Sequence, residues 1–145
     1  MKTKTILLTI QNPRPLSNEN YEVIAKETLK NCEYKELTIS GALLDQSHFH
    51  DVTFSGCIFY GSRIDFCDFI GCRFENCTFQ FSHINGCAMK SCQFVGCHYE
   101  NSTIDASDFS HCDLDTKTLY WATKNDNDLH CCYGPIPSLN QNQAA

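Results

Sequence analysis

From Tyr34 to Leu114 every fifth residue is apolar: Tyr34, Ile39, Leu44, Phe49, Phe54, Phe59, Ile64, Phe69, Phe74, Phe79, Ile84, Met89, Phe94, Tyr99, Ile104, Phe109 and Leu114. Two residues before each lies a second series of small residues, Cys, Ser or Ala at every step except Leu37 and Val52. A chain that is 42% hydrophobic does not produce such a series by chance. The period fits neither a helix, at about 3.6 residues per turn, nor a flat strand, at about 2. It requires a chain that turns at every repeat, which makes it a solenoid.

Sorting the apolar series at a spacing of 20 gives four distinct columns. One is Leu44, Ile64, Ile84 and Ile104, preceded at the small position by Ala42, Ser62, Ser82 and Ser102. The next is Phe49, Phe69, Met89 and Phe109, and the third is Tyr34, Phe54, Phe74, Phe94 and Leu114. The last is Ile39, Phe59, Phe79 and Tyr99, beside Cys57, Cys77 and Cys97. A five-residue repeat alone would not distinguish columns, so the ladder predicts square coils of four repeats stacked like on like. Stacked coils lie about 4.8 Å apart, so a little over four of them make a rod roughly 20 Å long. Gly56, Gly61, Gly71, Gly86 and Gly96 each follow a central apolar residue by two. That is where the chain turns a corner, and glycine tolerates the backbone angles a corner needs.

Units such as Cys57-Ile58-Phe59-Tyr60-Gly61, Cys72-Arg73-Phe74-Glu75-Asn76 and Cys77-Thr78-Phe79-Gln80-Phe81 resemble those of the pentapeptide-repeat family. The resemblance implies an all-β solenoid, a right-handed quadrilateral β-helix with about 20 residues per coil. The expected organisation is an N-terminal cap at 1–31, the repeats at 32–116, a C-terminal cap at 117–137 and a disordered tail at 138–145.

A solenoid exposes an apolar ring and unpaired backbone at each end, so it needs caps. The first is expected to hold a strand at 5–10, a turn at Pro13–Pro15 and a helix from about 18 to 30. Ser17 or Asn18 would cap that helix, and Tyr21, Ile24 and Leu29 would face the coil. The short apolar run Ile6–Ile10 reads as a strand rather than a leader or anchor. The second cap would use Leu119, Tyr120, Trp121 and Leu129, ending before Gly134-Pro135-Ile136-Pro137.

The formal charge is −6 over 145 residues, which disfavours direct contact with nucleic acid or an anionic membrane. No apolar run has membrane-spanning length. Nine of the eleven cysteines fall on the small position, where a thiol acts as a small buried hydrophobe. Abundant unpaired thiols fit a reducing, cytoplasmic compartment. Secretion as an effector remains compatible with the sequence. A zinc site needs ligands two to four residues apart converging from turns, and only His130-Cys131-Cys132 approaches that spacing. No nucleotide fingerprint is present, and buried thiols make poor nucleophiles. The reading is a non-enzyme with no cofactor and no metal.

The outward residues carry the functional expectation. Asp45, Asp65, Asp68, Asp105 and Asp108 form an acidic edge along the rod, whose mutual repulsion has a cost. It serves either solubility or recognition of a basic partner surface. Ile58, Tyr60 and Phe81 point outward on one wall or its corner, with Leu43 and Phe66 on the wall beside it. Exposed apolar patches mark interfaces, unless Phe66 and Phe81 fold over the corners. The leading expectation is a module that binds another protein, unidentified. The Phe-centred, Cys-rich units look most like the Qnr-type, topoisomerase-protecting branch of the family, which implies an alternative role as a DNA mimic that occupies gyrase. A bacterial effector or targeting module is the further alternative. The sequence does not set the oligomeric state.

Overall fold

The computed structural model describes residues 4–5 and 21–135. The chain winds into a four-sided parallel β-solenoid of about five turns, in which each side is a sheet of three-residue strands. Face A carries Val23–Ala25, Leu43–Asp45, Arg63–Asp65, His83–Asn85 and Thr103–Asp105. Face B carries Thr28–Lys30, His48–His50, Asp68–Ile70, Ala88–Lys90, Asp108–Ser110 and Asp128–His130. Face C carries Glu33–Lys35, Thr53–Ser55, Arg73–Glu75 and Gln93–Val95, with Lys4–Thr5 added antiparallel at its edge. Face D carries Thr38–Ser40, Ile58–Tyr60, Thr78–Gln80 and His98–Glu100. Strand partners are 20 residues apart throughout the coils, as in Ile64↔Ile84 and Phe59↔Phe79.

Every fifth residue from Tyr21 to His111 sits at a corner with φ between 48° and 67°, whether or not it is glycine. The corner N–H donates to the next coil, as from Gly61 to the Gln80 carbonyl at 2.9 Å. The N–H three residues before a corner bonds the previous coil, as from Ile58 to Leu37 O at 2.8 Å. Local turns thus leave backbone donors pointing along the axis, where each coil templates its neighbour.

The core follows the columns. Tyr34, Phe54, Phe74 and Phe94 stack with ring centroids 5.6, 5.0 and 4.8 Å apart. Phe59, Phe79 and Tyr99 stack at 4.8 and 5.0 Å. Such pairs add about 0.5–1.5 kcal/mol each beyond the apolar area they bury. At the small positions the two chemistries differ. Ser82 Oγ accepts from Ser62 N at 3.0 Å and donates to Phe59 O at 2.9 Å. Cys77 Sγ in the neighbouring column donates to Phe54 O at 3.3 Å, a longer and weaker bond than the serine's. All eleven cysteines are free thiols, and only Cys131 is exposed.

The helix expected over about 18–30 does not form in residues 21–30. Val23–Ala25 and Thr28–Lys30 are solenoid strands, with Ile24 and Leu29 fully buried at central positions. The rod is therefore longer than a little over four coils. Pairing with Leu43–Asp45 and His48–His50 satisfies the backbone along the rod axis, which outweighs local helix propensity. Ser17, Asn18, the Pro13–Pro15 turn, most of the expected strand at 5–10 and the tail at 138–145 lie outside the described residues.

At the other end a helix, α1 (Thr116–Lys124), interrupts the winding over faces D and A. Leu119 and Ala122 are buried, Trp121 packs beside Tyr99 at 6.1 Å, and Tyr120 stays exposed. Asp115 caps α1 by accepting from Thr118 N at 2.8 Å, and its other oxygen accepts from Cys97 N at 2.7 Å. Asn127 Oδ1 accepts from Ser107 N at 2.8 Å. These side chains stand in for the coil that would otherwise lie above. The chain then rejoins the rod: Asp128–His130 extends face B, Tyr133 bridges Asp113, and Cys132 is core filler, its Sγ 3.4 Å from Phe109 O.

Burial raises the Cys97 thiol from 9.0 to about 12. The folded rod therefore holds this proton more tightly than the unfolded chain does. Its contribution is complete below pH 9 and is lost between pH 9 and 12, by at most about 1.4 kcal/mol per pH unit. The melting temperature should fall over that interval, and thermal denaturation of Cys97→Ala should show a shallower fall.

Candidate protein-docking surface

The acidic residues predicted to share an edge come together only in part. Asp45, Asp65 and Asp105 align on face A with Asn85 between the last two. Asp68 and Asp108 align on face B, where Asp128 continues the column. Asp105, Asp108 and Asp128 are exposed, and Asp45 is half-buried. Asp65 departs from the expected edge: it is 7% exposed, and Arg63 Nη2 holds its Oδ2 at 3.0 Å. His48 Nδ1 lies 2.9 Å from Asp68 Oδ2. Cationic and imidazole neighbours thus relieve the like-charge column, which the carboxylates taken alone do not reveal. On the other faces, polar side chains bond from coil to coil, Arg73 to Gln93 and Gln80 to Glu100.

The apolar residues fall into two groups. Tyr60 and Phe81, about half exposed, meet edge to face at 5.6 Å at the corner between faces D and A. Ile58, on the same strand as Tyr60, is 36% exposed. Phe66, 57% exposed, occupies the opposite corner of face A, so it does not join that patch. Tyr21, expected to face the coil from a helix, is instead an exposed corner residue of the Tyr60–Phe81 edge.

Phe66 also explains one glycine. A Cβ built on Gly86, one coil further, would stand 2.6 Å from two Phe66 ring carbons. Tyr21 covers Gly41 in the same way, at 2.5 Å. Where a corner ring lies along the axis over the corner of the next coil, as at Phe66 and Tyr21, it needs glycine 20 positions later. Positive φ alone does not, because Asn, Asp and Ser occupy other corners. The signal was available as Phe66/Gly86 and Tyr21/Gly41 at the coil spacing, though not from the five-residue pattern alone.

The buried thiols are occupied in packing, and among the described residues no group of three or more His, Cys, Asp or Glu is arranged to hold a metal ion. His130 and Cys131 are exposed while Cys132 points into the core, so the three do not converge. An apolar hollow of about 510 Å³ opens at the C-terminal end beside Val95, Leu114 and Tyr133. No helix among the described residues is long and apolar enough to cross a membrane.

A family model described as pentapeptide repeats, in nine copies, matches residues 39–83 and 69–113. No curated protein matches the chain significantly. Among solved structures, the chain is similar to a Parabacteroides merdae ATCC 43184 protein provisionally assigned as a glycosyl hydrolase. The identity is 8%, covering 82% of this chain and 76% of that one, with a TM-score of 0.38. It is similar to trypsin-treated QnrB1, a plasmid-mediated fluoroquinolone resistance protein, at 15% identity, 86% and 96% coverage and a TM-score of 0.29. It is also similar to the repeat protein Rfr23 of the cyanobacterium Cyanothece 51142, at 12% identity, 81% and 84% coverage and a TM-score of 0.28.

The corner geometry makes a quantitative test. Gly61→Ala places its methyl in open space and should lose only the glycine preference for positive φ, about 1–2 kcal/mol. Gly86→Ala must also displace the Phe66 ring and should be the less stable variant in chemical denaturation. Phe66→Ala in the same chain should remove the difference.

Proposed function

The chain belongs to the pentapeptide-repeat family, and from that premise we propose that it is a non-catalytic rod that binds another protein through faces A and D. The observation that carries this reading is the pairing of an exposed aromatic edge, Tyr60 with Phe81, with the carboxylates of the adjoining face, Asp45 and Asp105. An apolar strip beside charge of one sign provides both contact area and orientation for a docking partner. The interior supports the same reading, because packed ring columns leave the outer surface to carry the specificity. A second reading is that the rod occupies a DNA-binding enzyme such as gyrase in place of DNA. The acidic columns on two adjoining faces favour it, Asp45, Asp65 and Asp105 on one and Asp68, Asp108 and Asp128 on the other.

Affinity capture from the native lysate should retain a protein on the wild-type rod and lose it on Phe81→Ser combined with Asp105→Lys. Equal retention by both baits would place the interface elsewhere. Added to a gyrase supercoiling reaction, the rod should inhibit or protect at micromolar concentration if the second reading holds. No effect at large excess would remove that reading and leave the first.

A further inference from the structure

Face A carries a polar hollow of about 300 Å³, lined by Arg63, Asp65, His83, Asn85, Thr103 and Asp105. It is built from two rows. Arg63, His83 and Thr103 open successive strands, and Asp65, Asn85 and Asp105 close them. Strand pairing sets the members of a row about 4.8 Å apart. The Arg63 guanidinium can only donate and the two carboxylates can only accept, whereas His83, Thr103 and Asn85 do both.

One atom of this hollow is unmatched. Asp65 is 7% exposed, and Arg63 Nη2 holds its Oδ2 at 3.0 Å. Its Oδ1, shut away from solvent, has no hydrogen-bond partner among the described residues. Buried acceptors are normally paired, and leaving one unmet is costly. His83 Nδ1 is engaged with Thr103 Oγ1 at 2.7 Å, and Asp105 is exposed with no ion pair among the described residues.

Charge decides what the hollow takes. A cation reaching Oδ1 meets Arg63 beside it, and an anion meets Asp65 and Asp105. The Arg63–Asp65 pair is neutral as a unit, so the missing group is a neutral donor. An extended peptide along the axis alternates N–H with C=O on each edge, so carbonyls would face the carboxylate row. A hydroxyl suits both rows, since it donates to the carboxylates and accepts from the guanidinium. Beside the acceptor row, the exposed Phe66 ring lies over Gly86, the residue after Asn85. An aromatic surface there offers a rest for the apolar C–H face of a sugar.

We propose that the face A hollow binds a neutral carbohydrate, whose hydroxyls donate to Asp65 Oδ1 and Asp105 and accept from Arg63. Arg63, with its side chain 64% exposed, is the group that moves aside to admit the hydroxyl. The site is independent of the docking reading above and adds a small-molecule ligand to the rod.

The test probes the full chain against an array of immobilised oligosaccharides. The neutral set is built from glucose, galactose, mannose and N-acetylglucosamine, the charged set from sialylated and sulfated sugars, and hits are titrated by calorimetry. At least one neutral oligosaccharide should bind, and no charged one more tightly. Asp65→Asn keeps the side-chain shape in a column where Asn85 already stands, so the coil is retained. It should weaken binding by about tenfold or more. His83→Ala, at an exposed position, should weaken it as well and serves if Asp65→Asn fails to fold by circular dichroism. Asp68→Asn, on face B, should bind as wild type does. Absence of any neutral hit, preference for charged sugars, or hits that bind Asp65→Asn and His83→Ala as tightly as wild type would each overturn the proposal. An equal loss with Asp68→Asn overturns it too. Protein capture that depends on Phe81 and Asp105 stands or falls separately.

Discussion

A left-handed residue at each fifth position is the constraint from which the rest of this molecule follows. With φ near +50 to +65° at the corners from Tyr21 to His111, the four residues between successive corners run along one side, and the first and third of them point inward. L-residues resist this conformation by about 1–2 kcal/mol each. The corners persist because the corner N–H groups from Tyr21 to Ser91 each find a carbonyl one coil on, which offsets the strain. Stacking and turning are thus one interaction seen from two directions, and neither survives alone. That mutual dependence is why a solenoid this narrow uses columns of flat rings. Parallel Phe and Tyr side chains repeat at the same interval as the backbone ladder and keep the coils in register.

The ends show how a periodic structure stops. At the C-terminal end, faces D and A finish beneath α1, while faces B and C run a further half coil. The carboxylate of Asp115 and the amide of Asn127 accept from Cys97 and Ser107, the same backbone donors that a serine of the next coil would have satisfied. Side chains with the right reach replace an entire turn of backbone. At the N-terminal side of face C, Lys4–Thr5 pairs antiparallel, so the incoming chain covers an edge that a further parallel coil would have covered.

The interior was legible almost residue by residue, because burial inside a square coil forces both the period of five and the column identity at 20. The first half coil was not legible, and the reason is local. Ile24 and Leu29 continue the apolar series, but Glu22 and Glu27 stand where a small residue is expected, and carboxylates there disguise the repeat as an amphipathic helix. The surface was legible only in outline. Which wall each Asp occupies follows from the count, but the withdrawal of Asp65 onto Arg63 depends on side-chain reach, which no periodicity encodes. Likewise Phe66 and Phe81 look equivalent in sequence. They differ because Phe66 finds a glycine one coil on whereas Phe81 finds Asn101 and turns instead to Tyr60.

The relation between a corner side chain and the glycine above it has an evolutionary reading. Inward positions are fixed by the stack, so variation there is punished along the whole column. A corner ring such as Phe66 bears on the corner one turn away, and it can be exchanged for a small residue if that neighbour changes in the opposite sense. Relief on the outside of the rod can therefore drift in pairs, two substitutions at a time. New contours for new partners become reachable by mutation while the interior sequence stays as it is.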